Sequence, residues 1–316
     1  MNINAYALKR IVDSSVSKSG DDYIAKIPSM MSAQEQHLLF LLSRDYYSYE
    51  GKIIDAGHFL GSSTYSICAG LARQAGKQAR QVFSYDLGIW YKGWTELLKK
   101  DGWLKFFELF PECYELGDLE SFIPVYKRAI AEYIDLVNIR SGDLVQILET
   151  EGFNEKIEVL FLDLCKMPKI NHATQKFFFG NLIPGKSVLI QQDFLCDSLP
   201  WLYINLGYFS DFFQFIGFVG SSAVYLFTRE IPGNMLNTDC YYDLNLEEKE
   251  KCYDASLALV SNDYNYKLCR LAKLKMYHDF GETEKYSDLL REYENYPELQ
   301  AALNSVIDRI GLGQYY

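Results

Sequence analysis

Four aspartates each close a short apolar run in this sequence. Asp55 follows Ile53-Ile54, Asp86 follows Val82-Phe83-Ser84-Tyr85, Asp163 follows Val159-Leu160-Phe161-Leu162, and Asp193 follows Ile190-Gln191-Gln192. A fifth, Asp143, comes shortly after Leu136-Val137-Asn138-Ile139. Runs of this kind read as buried strands. Carboxylates at the carboxyl ends of parallel strands line the crevice where open α/β sheets bind ligands. Crowding acids there is costly unless they hold something. Asp55 also opens the segment Asp55-Ala56-Gly57-His58-Phe59-Leu60-Gly61-Ser62-Ser63-Thr64. Gly57 permits a tight turn with positive φ, and Gly61 permits a close approach of backbone or ligand. Ser62, Ser63 or Thr64 can cap a helix predicted over 65–74. A strand, a glycine turn and a helix N-terminus suit the polar end of a nucleotide-like ligand.

The other acids and bases extend this chemistry. Asp86 can accept both hydroxyl protons of a ribose diol, or it is a plain turn residue. Asp143 can accept from the exocyclic amine of adenine, or cap a helix. His58 in the turn and His172 in the helix after the fourth run are candidate bases at neutral pH, although a plain loop role is the leading reading of His58. Lys166 follows Asp163 closely and is either a solvated loop lysine or a cation within the crevice. The glycine spacing departs from the dinucleotide fingerprint, because the second and third glycine positions counted from Gly57 hold Phe59 and Ser62. A nicotinamide oxidoreductase is therefore disfavoured. The sequence contains neither a nucleophile-elbow serine motif nor a Walker A segment.

The elements that must position these residues alternate in type. Ser32-Ala33-Gln34-Glu35 is a capping-box pattern that opens a helix over Leu38 to Leu42. Strands are predicted over 52–56, 81–86, 136–139, 158–163 and 187–192, with helices over 65–74, 144–149, 173–181 and 200–209. Residues 213–219 and 223–228 read as a hairpin around Gly220-Ser221-Ser222. Residues 89–133 are too long for a plain loop and hold Trp90, Trp94 and Trp103 among Lys99, Lys100 and Lys105. They are expected to form a helical insertion or lid. Residues 244–310 carry helical periodicity, with Leu257, Leu268, Leu271 and Leu274 on one face. The expected organisation is an N-terminal helical cover (1–50), a central α/β domain (51–232, with the insertion at 89–133), and a C-terminal helical region (233–316). The C-terminal helices offer a surface for packing, for a homo-oligomer, or for covering a substrate.

Composition bounds the partners. The 316 residues carry a net charge of -11, with an isoelectric point near 5.0. That argues against a fold-wide nucleic-acid surface. Seven scattered cysteines include no C-x-x-C pair, so neither a disulfide framework nor a zinc site is expected. Free thiols and an N-terminus lacking an apolar run imply a cytoplasmic protein. Residues 201–227 are very apolar, but Asn205, Asp211, Gln214 and several glycines interrupt them. They read as helix plus hairpin, without a membrane span.

Three stretches together carry a family resemblance. They are Asp55 to Thr64, Phe83-Ser84-Tyr85-Asp86-Leu87, and Leu160-Phe161-Leu162-Asp163 with Leu182-Ile183-Pro184-Gly185 and Gln192-Asp193-Phe194. Over most of 32–228 the chain resembles class I S-adenosylmethionine (SAM)-dependent methyltransferases. Within them it looks like the branch that includes macrocin O-methyltransferase-like enzymes. The resemblance implies an α/β fold: a Rossmann-like, doubly wound, mostly parallel seven-stranded sheet with an antiparallel last strand, followed here by a C-terminal helical appendage. It implies SAM as cofactor and methylation of a small hydroxylated acceptor, such as a sugar or a natural-product intermediate. Carried over, Gly57 and Gly61 would flank the methionine moiety, with Asp55, His58, Phe59 and Ser63 nearby. Asp86 would hold the ribose and Asp143 would approach the adenine.

The sequence departs from that branch in two places. The branch often shows Asp-Gly-Asp followed by His or Trp after the fourth strand, and here stands Asp163-Leu164-Cys165-Lys166. It often shows paired acids after the fifth strand, and here stands Gln192-Asp193. In metal-dependent members such acids hold a divalent ion. Asp163 and Asp193 remain as ligands, so Mg²⁺ is allowed but not favoured. Lys166 argues against a second cation; it could lower the pKa of an acceptor or pair with a substrate carboxylate. Asp163 and His172 are the base candidates. The same departures motivate an alternative, a catalytically silent methyltransferase-like binding or assembly protein.

Overall fold

Both faces of the central strands are apolar, so each strand must be covered twice. Ile53 packs on one side of the sheet and Ile54 on the other, and Val159 and Leu160 repeat the division. The computed structural model describes residues 3–17, 27, 29–74, 80–91, 93–100 and 108–312. Trp103, Lys105 and most of the connector between the first two strands lie outside the described residues.

The strands are β1 (Lys52–Ala56), β2 (Val82–Asp86), β3 (Val137–Ser141), β4 (Ile157–Leu162), β5 (Val188–Gln191), β6 (Phe213–Val219) and β7 (Ser222–Phe227). They form one sheet in the order β3-β2-β1-β4-β5-β7-β6. The first five strands pair in parallel, and β7 runs antiparallel to both β5 and β6. This is the Rossmann-like, seven-stranded arrangement with an antiparallel last strand that the resemblance implied. The chain winds outward from β1 in one direction and from β4 in the other. Their shared carboxyl edge is therefore the topological switch point, where a crevice opens.

The helices Ile3–Ser17, Ala33–Leu41 and Ser62–Leu71 cover one face. The helices Leu144–Glu151, Pro168–Phe178 and Pro200–Tyr208 cover the other. The Ser32 capping box forms as its spacing predicts, with Glu35 as the reciprocal partner. Two helix starts differ from expectation. The helix after β1 begins at Ser62, with left-handed Gly61 as its cap and no side-chain cap bond. Ser62, Ser63 and Thr64 thus lie inside the first turn instead of before it. The helix after β4 begins at Pro168, five residues earlier than predicted. Proline at a first helical position is pre-organised for that start.

The C-terminal residues form the helices Leu246–Leu257, Asp263–Arg270, Ala272–Asp279, Thr283–Tyr293 and Gln300–Leu312. Leu257, Leu268 and the pair Leu271/Leu274 fall on or beside three different helices instead of one face. Tyr253, Leu257, Leu271, Leu274 and Tyr293 join the same apolar cluster as β4 and Pro200–Tyr208. Residues 201–227 fold as helix and hairpin. Among the described residues no helix is long and apolar enough to cross a membrane.

The contact between Pro200–Tyr208 and Leu246–Leu257 runs backbone to backbone. A Cβ on Gly207 would stand 1.8 Å from the carbonyl oxygen of Cys252. Gly207→Ala is expected to force the two helices apart and to destabilise the fold by about 3 kcal/mol or more. Urea unfolding measures this; an unchanged midpoint would show that the helices are not in contact there.

Candidate functional site

Backbone pairing draws the turn after β1 towards the end of β4. Gly57 N donates to Tyr85 O at 2.8 Å, and Asp163 N donates to Ala56 O at 2.7 Å. Gly57 has φ 106°, and a Cβ there would meet the Asp163 carbonyl carbon at 2.9 Å. The turn closes where Gly61 N donates to His58 O at 2.8 Å. Phe59 within it takes φ 42°, a left-handed conformation that a non-glycine residue rarely adopts.

Asp86 fastens this turn from the neighbouring strand. Its Oδ2 accepts from Phe59 N and its Oδ1 from Gly88 N, both at 2.9 Å. Asp143 caps the helix Leu144–Glu151 through Oδ1, which accepts from Val145 N at 2.8 Å and Gln146 N at 3.3 Å. The structure thus makes Asp143 the helix cap that its position allowed. Gly142 N donates to Asp86 O at 2.9 Å, so the ends of β2 and β3 adjoin.

Beneath the turn lies a polar network that no local sequence pattern reveals. Asp55 is fully buried and accepts from the Thr64 hydroxyl. The Thr64 hydroxyl lies 3.1 Å from the Tyr126 hydroxyl, which donates to Ser84 Oγ at 2.8 Å. Burial pushes the Asp55 carboxyl above its usual range, and the Thr64 hydroxyl pulls it back. Tyr126 belongs to the insertion and comes 62 residues after Thr64, so only folding brings them together. Its ring also stacks on His58, with centroids 3.8 Å apart. His58 Nδ1 lies 2.9 Å from Phe59 O, and since a carbonyl only accepts, Nδ1 carries the proton. His58 is buried and tied into the turn. Phe59 in turn meets Trp90, Trp94 and Phe122. The described part of the insertion therefore packs against the turn and the helix after it.

Four buried side-chain atoms around this turn make no well-formed hydrogen bond to the described residues: Asp55 Oδ1, His58 Nε2, Ser62 Oγ and Ser63 Oγ, the last lying close enough to Asp55 to lower its carboxyl. Such atoms are few in folded proteins, and a cluster of them needs a cause.

Across the crevice, Lys166 joins the two remaining acids. Its Nζ donates to Asp163 Oδ1 at 2.9 Å, to Gln192 Oε1 at 3.1 Å and to Asp193 Oδ2. The three charged side chains are 24–32% exposed. Burial pushes the Asp163 carboxyl up to about 7 against the pull of the Lys166 ammonium. Burial disfavours the Lys166 charge, and the two carboxylates outweigh it, so the ammonium is held protonated. Asp193 itself takes φ 56°, the second non-glycine left-handed residue of the crevice. Among the described residues no group of three or more His, Cys, Asp or Glu side chains could hold a metal ion. His172 lies on Pro168–Phe178 with a buried, unpartnered Nδ1. No hydrogen bond or ion pair of the described residues links it to Asp163, Lys166 or Asp193.

Helix Pro200–Tyr208 pins both acid-bearing loops. Trp201 Nε1 donates to Cys165 O at 2.7 Å, and the Tyr203 hydroxyl donates to Cys196 O at 2.8 Å and to Phe194 O. From the other side, Gln192 Nε2 donates to Ser221 Oγ at 3.3 Å, and Ser221 and Ser222 donate to buried Glu35. The capping box of the N-terminal cover thus reaches the same crevice.

No family model and no curated protein matches the sequence. Solved structures with partial likeness include the O-methyltransferase NovP, 13% identical, covering 71% of this chain and 98% of that one at a TM-score of 0.45. The SAH-bound Podospora anserina methyltransferase PaMTH1 is 14% identical, covering 71% and 88% at 0.39. The calicheamicin methyltransferase CalS11 is 10% identical, covering 70% and 91% at 0.41.

Two outcomes test this geometry. Tyr126→Phe deletes the hydroxyl that bridges Ser84 and Thr64, and is expected to cost about 1–3 kcal/mol in urea unfolding; a smaller loss would mean the network is not formed. For Asp163, the folded carboxyl holds a proton between pH 3.8 and about 7 that the unfolded chain has released. Its contribution to stability therefore falls as pH rises through that window. Asp163→Asn is expected to remove that component of the slope in thermal unfolding across the window, and identical slopes would refute the raised carboxyl.

Proposed function

We propose that this chain is a SAM-dependent methyltransferase acting on a hydroxyl of a small acceptor, such as a sugar or a natural-product intermediate. The observation that carries the reading is the juxtaposition at the β1/β4 switch point. A glycine turn surrounded by buried polar atoms that lack a well-formed hydrogen bond there adjoins a strand-end acid on one side and an acid–lysine cluster on the other.

The residues present fit the cofactor. Gly57 and Gly61 let the turn lie close against Asp163 and Tyr126, and Ser63 in the first turn of the following helix is a candidate donor to the methionine moiety. Each Asp86 oxygen already accepts one amide proton and retains a lone pair for a ribose hydroxyl. Asp143 spends Oδ1 on its helix and keeps Oδ2. Leu87, next in the chain after Asp86, is 41% exposed and offers an apolar surface to a base. When bound, SAM supplies an activated methyl group. This chain's own contribution is to orient an acceptor hydroxyl and take its proton. Asp163, with a carboxyl near 7, is poised for that transfer at neutral pH. His172 has no tie to the cluster and is the weaker candidate.

Isothermal titration with SAM and with its demethylated product tests the reading. Both are expected to bind, with Asp86→Ala weakening affinity about tenfold or more. A folded wild-type chain that binds neither at millimolar ligand would overturn it.

A further inference from the structure

The acid–lysine cluster carries a second, independent inference. Three oxygen atoms converge on one point from two neighbouring strand ends. Asp163 Oδ1 and Gln192 Oε1 lie 2.9 and 3.1 Å from the Lys166 nitrogen, and Asp193 Oδ2 completes the set. Two carboxylates and an amide oxygen, on side chains that are partly exposed, are the donor types that a hard divalent cation takes, completed by water. The point is filled by a side chain from the same loop. The loop is shaped to deliver it: Lys166 N donates to Leu164 O at 2.7 Å, and Trp201 holds the intervening Cys165 carbonyl.

We infer that Lys166 is a tethered cation. It occupies a built oxygen cage formed by Asp163, Gln192 and Asp193, and removing its ammonium converts that cage into a divalent-cation site. Lys166 is thus a positioning residue. It holds two like charges from β4 and β5 at a fixed separation and orients the Asp163 carboxylate beside the glycine turn. A free metal ion in this place can dissociate; a lysine cannot, so the arrangement is independent of metal supply. The left-handed backbone of Asp193 is part of the same construction, since it turns that carboxylate onto the ammonium. The cage rests on its own geometry and stands whether or not the turn binds SAM.

Manganese binding reads the cage directly. Titrations of Mn²⁺ followed by electron paramagnetic resonance of the free ion should be run on the wild type, Lys166→Ala and Lys166→Met. The wild type is expected to bind Mn²⁺ weakly. Lys166→Ala is expected to bind one ion at least about tenfold more tightly, through two carboxylates, an amide oxygen and water. Adding Asp193→Asn to Lys166→Ala should abolish that gain. Mn²⁺ should also raise the thermal midpoint of Lys166→Ala while leaving the wild type unmoved, an effect that a merely structural lysine would not produce. Lys166→Met keeps the apolar stem and guards against a variant that fails to fold. A wild type that binds Mn²⁺ as tightly as the variants overturns the inference. So does a natively folded Lys166→Ala or Lys166→Met that gains no Mn²⁺ affinity. Because SAM is absent from these titrations, their failure is distinct from a failure of the methyltransferase reading.

Discussion

The crevice depends on the approach of Gly57 to the end of β4. A side chain at Gly57 would collide with the Asp163 backbone, so the turn after β1 can lie against β4 only because a glycine stands there with positive φ. That contact sets the distance between the turn and the acid–lysine cluster. It also allows Asp163 N to complete its bond to Ala56 O, which carries the parallel ladder to its last residue. A bulkier turn would open the switch point and separate the two halves of the site.

The loops that form the crevice are held from outside it. Helix Pro200–Tyr208 uses the Trp201 indole and the Tyr203 hydroxyl to fix the loops after β4 and β5. That helix is fixed in turn by Leu246–Leu257, through the close contact at Gly207 and the Ser256 hydroxyl bonding Tyr203 O at 2.8 Å. The C-terminal helices therefore back the acid-bearing loops through this layer, and Arg309 reaches the loop after β5 directly, at Asp197 and Ser198. The insertion does the corresponding work on the other face, where Tyr126 fills the space beside Gly61 and bonds Ser84 in the polar network below it.

Charge at the site is arranged by burial and by pairing. Asp55 is fully enclosed, and desolvation raises its carboxyl more than the Thr64 and Ser63 hydroxyls and nearby His58 lower it. Asp163 and Asp193 are partly open and share Lys166. Ion pairs at such exposure add little to stability, so the value of this one lies in the geometry it imposes on three side chains. Asp86 and Asp143 meet backbone amides instead, which orients them without neutralising them.

The amino-acid sequence by itself determined the alternation of strands and helices and placed an acid at the end of each of four strands. Hydrophobic runs, a capping box and glycine punctuation are local signals, and local backbone energetics suffice to express them. The Gly57 turn, the Asp143 cap alternative and the β6–β7 hairpin were legible for this reason. Tertiary structure alone decided what those acids meet. The partnership of Lys166 with Asp193 and Gln192 spans 26 or 27 residues, that of Tyr126 with Ser84 spans 42, and that of Glu35 with Ser222 spans 187. No local pattern encodes such pairings, because they arise only when the sheet order brings distant strand ends to one edge. The same sheet order turned an ambiguous loop lysine into the cation between two carboxylates, and left His172 without a link to them.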